Sequence, residues 1–166
     1  GTGNSDFKCT YGLVENNSTV GVVNQYTNAD ISYSTIQNNT QAGVYVSTSE
    51  VYPFHHNIVT GNGTSSRDGI EVTSSGAFYL YNSSLDKGYN EITYNADDQI
   101  SGSGDLYIGL YSASSHNSIR GNFGSGGKYL VDNNTGTTLQ AIYNHWDNDD
   151  TGYYYPVTAM FDGLVD

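Results

Sequence analysis

Positive charge is scarce in this chain. Of 166 residues only 5 are Lys or Arg, against 17 Asp or Glu, and the formal net charge is −12. Nucleic acids and anionic membrane surfaces call for basic patches, so the composition argues against both as partners. It also argues against tight binding of a polyanionic sugar without a bridging cation. There is one cysteine, Cys9, so no internal disulfide can form. A lone Cys reads first as a small buried hydrophobe, and second as a candidate for a disulfide between molecules in an oxidising compartment. Proline occurs twice. No apolar run reaches membrane-spanning length, and no stretch has the pattern of a signal peptide, so the numbered chain reads as a processed product or an excised piece.

What is abundant is small, polar and aromatic: 20 Gly, 18 Asn and 16 Tyr, with 36% hydrophobic residues. Such a chain is too poor in helix formers for a bundle and too rich in Tyr, Val and Ile for a disordered tail. Strands joined by polar turns fit best. No segment has a helical period.

The chain repeats itself. CTYGLVENN, from Cys9, and ISYSTIQNN, from Ile31, match at an offset of 22: Tyr11 with Tyr33, Val14 with Ile36, Asn16-Asn17 with Asn38-Asn39. HHNIVTGN follows with Ile58 a further 22 on, then NEITYN, NSIRGN and QAIYNHW. The expected interior column is Val14, Ile36, Ile58, Ile92, Ile119 and Ile142. A second series, GVV, GVYV, GIEV, LYIGLY and YLV, alternates faces with period 2. The gaps are too short for a crossover helix. The repeat therefore predicts an all-β fold, a right-handed parallel β-helix of about six coils, each near 22 residues, stacked at about 4.8 Å. Asn recurs after the inward aliphatic because it tolerates left-handed corners and can stack into amide ladders; Asn95 and Asn122 continue the series.

GVYV…HHNIVTGN and GLY…SHNSIRGN resemble the repeats of the pectate-lyase-like β-helix superfamily. AIYNHWDNDDTG…FDGLVD resembles the closing segment of secreted bacterial and archaeal β-helix surface proteins, in which an Asn-Trp-Trp-Gly run precedes a Gly-hydrophobic-Asp ending. Asn144, His145, Trp146 and Asp147 occupy that run, with two of its four positions changed. The resemblance implies an extracellular, cell-surface setting; the superfamily holds lyases, hydrolases, adhesins and envelope proteins alike.

One domain over residues 1–166 is expected: a lead-in at 1–8, coils over 9–143 with an insertion at 73–105, and a terminal segment at 144–166. No catalytic residue is assigned. Arg67-Asp68 reads as a surface ion pair. Asp97-Asp98 is similar to a hydrolase Asp pair, but the family's Gly-His-Gly and Arg-Ile-Lys do not follow, so it reads as a solvated loop. His55-His56 and His116 read as repeat positions. Asp147, Asp149 and Thr151 imitate the first half of a Ca²⁺ loop; Thr158 stands where such a loop needs a bidentate Glu, so an exposed acidic turn is the favoured reading and Ca²⁺ the one cofactor with a foothold. Six sequons occur, of which Asn62 and Asn82 are the expected exposed acceptors. Tyr81, Tyr89, Tyr94, Tyr107, Tyr111 and Tyr153 to Tyr155 could cover the solenoid, contact a neighbouring subunit or face neutral sugars.

Two functions follow as expectations. The first is a non-catalytic extracellular module that associates with identical subunits into a sheath, filament or surface layer, Cys9 locking neighbours together. The alternative is a carbohydrate-active enzyme or sugar-binding module with glycans as partners.

Overall fold

The computed structural model describes residues 7–64, 66–80, 88–108, 116–121, 129–134, 144–147 and 161–162. All described regular structure is β. Strands β1 (Phe7–Thr10), β2 (Leu13–Glu15) and β3 (Val22–Asn24) form one turn. The next turns are β4 (Ala29–Ser32), β5 (Thr35–Gln37) and β6 (Val44–Val46), then β7 (Glu50–His55), β8 (Ile58–Thr60) and β9 (Ile70–Val72). β10 (Ala77–Tyr79), β11 (Glu91–Thr93) and β12 (Ile100–Gly102) follow, and β13 (Asp105–Tyr107), β14 (Ser118–Arg120) and β15 (Val131–Asn133) after them. β16 (His145–Asp147) and β17 (Phe161–Asp162) extend two of the sheets. Every third strand pairs in parallel, giving sheet A (β1-β4-β7-β10-β13), sheet B (β2-β5-β8-β11-β14-β16) and sheet C (β3-β6-β9-β12-β15-β17).

This is the expected parallel β-solenoid. The five stacked three-strand sets span about four turns of the solenoid, slightly fewer than the six coils expected. Residues 73–105, expected as an insertion, carry β10, β11 and β12, one on each sheet. β16 and β17 likewise place parts of 144–166 in the sheets.

One interior column needs correction. In sheet B, Val14 pairs with Ile36, Ile36 with Val59, Val59 with Ile92, and Ile92 with Ile119. Val59 is 0% exposed, whereas Ile58 points outward at 39%. The cause is a bulge: Ala29 pairs with Val51 but Ile31 with Phe54, so β7 holds one extra residue and the offset grows from 22 to 23. Because side chains alternate, a one-residue slip exchanges the two faces. At the far end Trp146 pairs with Ile119, in the place expected for Ile142, which lies outside the described residues.

The corners explain the Asn. Two amide ladders run along the rod, one at each end of sheet B. In the first, Asn57, Asn90, Asn117 and Asn144 stack, with Nδ2 to Oδ1 distances of 3.2, 2.8 and 2.9 Å. Asn90 shows why only Asn serves. Its Nδ2 donates to Phe54 O at 2.9 Å and to Asn117 Oδ1 at 2.8 Å. Its Oδ1 accepts from Asn57 N and Nδ2 at 3.0 and 3.2 Å. Two donors and two acceptors are all satisfied in a buried amide. The second ladder runs Asn17, Asn39, Asn62, Asn95 and ends on Gln99, whose Oε1 accepts from Asn95 Nδ2 at 2.9 Å. The expected continuation to Asn122 lies outside the described residues, and Gln99 takes the position after Asn95.

Among the described residues, the one before each ladder Asn turns the corner with positive φ. Before the second ladder these are Asn16, Asn38, Gly61 and Tyr94. Before the first ladder they are His56, Tyr89 and His116, in line with Tyr11 and Tyr33 of the earlier turns. Bulky residues resist this conformation, and stacking helps hold them in it. Tyr11–Tyr33, Tyr33–His56, His56–Tyr89 and Tyr89–His116 have centroids 5.1, 4.6, 5.1 and 5.4 Å apart.

The corrected register makes a direct prediction. Val59→Asp places an unpaired carboxylate in a closed apolar column and is expected to cost several kcal/mol, about 3 or more, and to prevent folding. Ile58→Asp, on the outer face, should cost about 1 kcal/mol or less. Thermal melts of the two purified variants decide; the opposite ranking would mean the register is wrong.

Candidate functional site

Sheet C carries the feature that stands apart from the repeat. Its outward column reads Val23, Tyr45, Glu71, Ser101, Asp132 along the rod. The corner leading into sheet C supplies a second column beside it. Backbone pairing aligns Val20, Ala42, Asp68, Asp98 and Tyr129 there. Both columns change from apolar to acidic between the second and third turns. The acidic part lines an open polar groove of about 390 Å³, with Arg67, Asp68, Glu71, Asp98, Ser101 and Asp132 among its walls.

A local lengthening builds this wall. From ladder Asn to the residue entering sheet C the chain takes four steps at Asn17–Gly21, Asn39–Gly43 and Asn95–Gln99, but seven at Asn62–Gly69. The added residues bring Arg67 and Asp68 over the sheet. Arg67 Nη1 pairs with Glu71 at 3.4 Å, so the ion pair expected between Arg67 and Asp68 is made with Glu71 instead. Asp68 turns along the rod. Its Oδ1 accepts from Asp98 N at 3.0 Å, and its Oδ2 accepts from the Ser101 hydroxyl. Asp98 repeats the gesture one turn on, its Oδ1 accepting from Tyr129 N at 2.5 Å.

Asp98 was expected in a solvated loop, yet only 7% of its surface is exposed. Burial pushes its carboxyl up to about 7; the Tyr129 N–H opposes this, and the nearby Asp68, Asp97 and Asp132 add to it. Burial likewise raises Asp68 to about 6, opposed by Ser101 and the Asp98 N–H and reinforced by Glu71 and Asp97. Asp132 differs again. Its Oδ1 is screened from solvent and accepts no hydrogen bond.

The other expected sites fare differently. Asn62 is 0% exposed and fully engaged in its ladder, so it is no glycan acceptor. Asn82 lies outside the described residues. Asp147 is on β16, paired in register with Arg120; its side chain, Asp149 and Thr151 lie outside the described structure. Among the described residues, no group of three or more His, Cys, Asp or Glu is arranged to hold a metal ion. Cys9 sits in an interior column beside Ile31, with Sγ 3.6 Å from Ser34 Oγ, so its thiol turns into the first turn of the solenoid. Of the Tyr expected to cover or to bind, Tyr107 lies parallel to Tyr79 at 4.3 Å and Tyr89 stacks in the Tyr/His series, whereas Tyr94 is 47% exposed. Neither a family model, nor a curated protein, nor a solved structure matches the chain.

The raised carboxyls set a pH dependence. An acid whose pKa is higher folded than unfolded binds an extra proton in the folded state between the two values. Its stabilising effect is full below the unfolded value near 3.8 and is lost as pH rises to about 7 for Asp98. Asn at position 98 can still accept from Tyr129 N but never ionises. Asp98→Asn should therefore match the parent near pH 4 and exceed it near pH 8 by about 1–2 kcal/mol, after discounting for the open side of the groove. Parallel melts at the two pH values test this; an Asn variant that loses stability at pH 8 would contradict the buried-acid assignment.

Proposed function

We propose that the chain is a glycan-binding and glycan-cleaving module, with the acidic groove on sheet C as its site. One observation carries the reading: three carboxyls from three successive turns line one open groove, each in a different hydrogen-bonding state. Asp68 has both oxygens occupied and serves as a positioning residue, fixing the backbone of Asp98. Asp98, with burial favouring its neutral form near pH 7, is suited to give a proton. Asp132 is the third carboxyl on the groove wall and would take one.

In glycoside cleavage Asp98 would protonate the glycosidic oxygen. The bond from that oxygen to the anomeric carbon breaks, its electron pair leaving with the departing hydroxyl. Water adds to the anomeric carbon, and its proton passes to Asp132. Elimination is less well supported, since Arg67, the cation in the groove, is engaged by Glu71. A secreted origin and kinship with the pectate-lyase-like superfamily belong to the same proposal, resting on the repeat motifs and the solenoid fold.

The test is reducing-end release from a panel of neutral polysaccharides between pH 5 and 8. Activity should decline above about pH 7 as Asp98 ionises. Asp98→Asn and Asp132→Asn should each lose about 100-fold or more while melting cooperatively. Full activity in folded Asp98→Asn would end the reading.

A second reading, the self-associating surface module, is favoured by the first turn. Among the described residues β1, β2 and β3 pair on one side only, and a recess of about 360 Å³ there reaches Val14 and Val22. Strand edges of this kind recruit further strands. Light scattering over a wide concentration range should show growing species; a monomer at every concentration removes this reading.

A further inference from the structure

The acidic groove has a neighbour on the same side of the rod. A second hollow of about 300 Å³ lies on the first two turns, lined by Val20, Val23, Gln25, Gln41, Ala42 and Tyr45. It reaches Arg67 and Glu71, and it shares Tyr45, Arg67 and Glu71 with the acidic groove. The two hollows therefore adjoin, meeting at Tyr45, Arg67 and Glu71 on the outward side of sheet C.

The chemistry changes between the two hollows. On the first two turns the lining offers aliphatic groups, one phenol ring and two carboxamides, with Val23 54% exposed. At the junction Arg67 and Glu71 pair with each other. The other cations among the described residues, Lys8 and Arg120, are also paired, with Asp30 and Glu91. A polyuronide would thus meet no unpaired cation on the described surface, and its carboxylates would run into Asp68, Asp98 and Asp132. A neutral sugar chain meets what suits it: carboxamides for hydroxyls, and Tyr45 and Val23 for the apolar faces of pyranose rings.

Building on the proposed glycan site, we propose that this neutral hollow is a substrate-holding subsite. A neutral linear glycan lies parallel to the solenoid axis, its reacting bond over the acidic turns and its far end on Val20, Val23, Gln41 and Tyr45. The five aligned strands span four steps of about 4.8 Å, which accommodates on the order of four sugar units. Tyr45 stands between the two hollows and touches the chain where it crosses.

The experiment measures affinity by calorimetry for oligosaccharides of two to six units from β-1,4-glucan, xylan, mannan and N-acetylglucosamine series, with oligogalacturonate as the charged comparison. For the series that binds, affinity should rise at least tenfold from two to five units and then level off. Gln41→Ala combined with Val23→Asp should cut that gain to under threefold, and oligogalacturonate should bind at least tenfold more weakly than the neutral pentamer. If the parent binds or cleaves a neutral glycan but the double variant keeps the full gain with length, the subsite is overturned while the acidic site stands. Oligogalacturonate binding as well as the neutral pentamer overturns the neutral-substrate assignment alone. If no series binds or is cleaved, the subsite and the proposed function fall together.

Discussion

The structure depends on the amide-to-amide hydrogen bond between successive turns. A β-solenoid must turn its backbone sharply at every corner, and corner backbone groups lie outside the sheet ladders. Along most of the rod a buried Asn resolves this at the two corners that flank sheet B, because it carries equal numbers of donors and acceptors. Asn57, Asn90 and Asn117 each donate to the next amide and to a backbone carbonyl of the preceding turn. An Asp would bring two acceptors too many and a charge. The spacing of these amides matches the strand spacing, so corner and sheet stack in one register.

That constraint leaves other features free to vary. Turn length changes along the rod: the sheet B column advances by 22, 23, 33, 27 and 27 residues. Register is preserved because the added residues fall between ladder positions. The lengthened corner after Asn62 is one such excursion, and it brings Arg67 and Asp68 over sheet C. The bulge in β7 is a smaller one. The groove thus arises where the repeat is least regular, beside walls that the ladders hold fixed.

Much of the fold was legible because two periods coincide in the sequence, the alternation within strands and the recurrence of Asn after an aliphatic. The slip at Ile58 has a physical origin. HHNIVTGN holds two adjacent β-branched residues, and composition cannot say which faces inward; the ladder decides it, since Asn57 and Asn62 must both lie inside. Counting back from those amides selects Val59. The first ladder went unread because its Asn follow aromatic residues, and Tyr or His at positive φ has no signature of its own. Repetition was the available signal: Tyr11, Tyr33, His56, Tyr89 and His116 all precede a ladder position. For the site, Asp97-Asp98 was visible as a pair but unreadable as a buried one. Its significance depends on the partner Asp68, 30 residues away, and alignment of those two residues needed the register.

Asp68 and Asp98 also show how one local device can serve two ends. Each carboxyl accepts a backbone N–H from the next turn, as the ladder amides do. In that respect they are corner caps on the outside of the rod. An amide would cap equally well without the cost of burying an ionisable group. Val20 and Ala42 hold the same column in the first two turns with no polar side chain at all. Neither capping nor packing therefore requires acid at these two positions, and Gln99, Asn95 and Asn62 show that carboxamides are at hand elsewhere in the same turns. A carboxyl placed where an amide would stabilise more can do what an amide cannot, which is to give up and regain a proton.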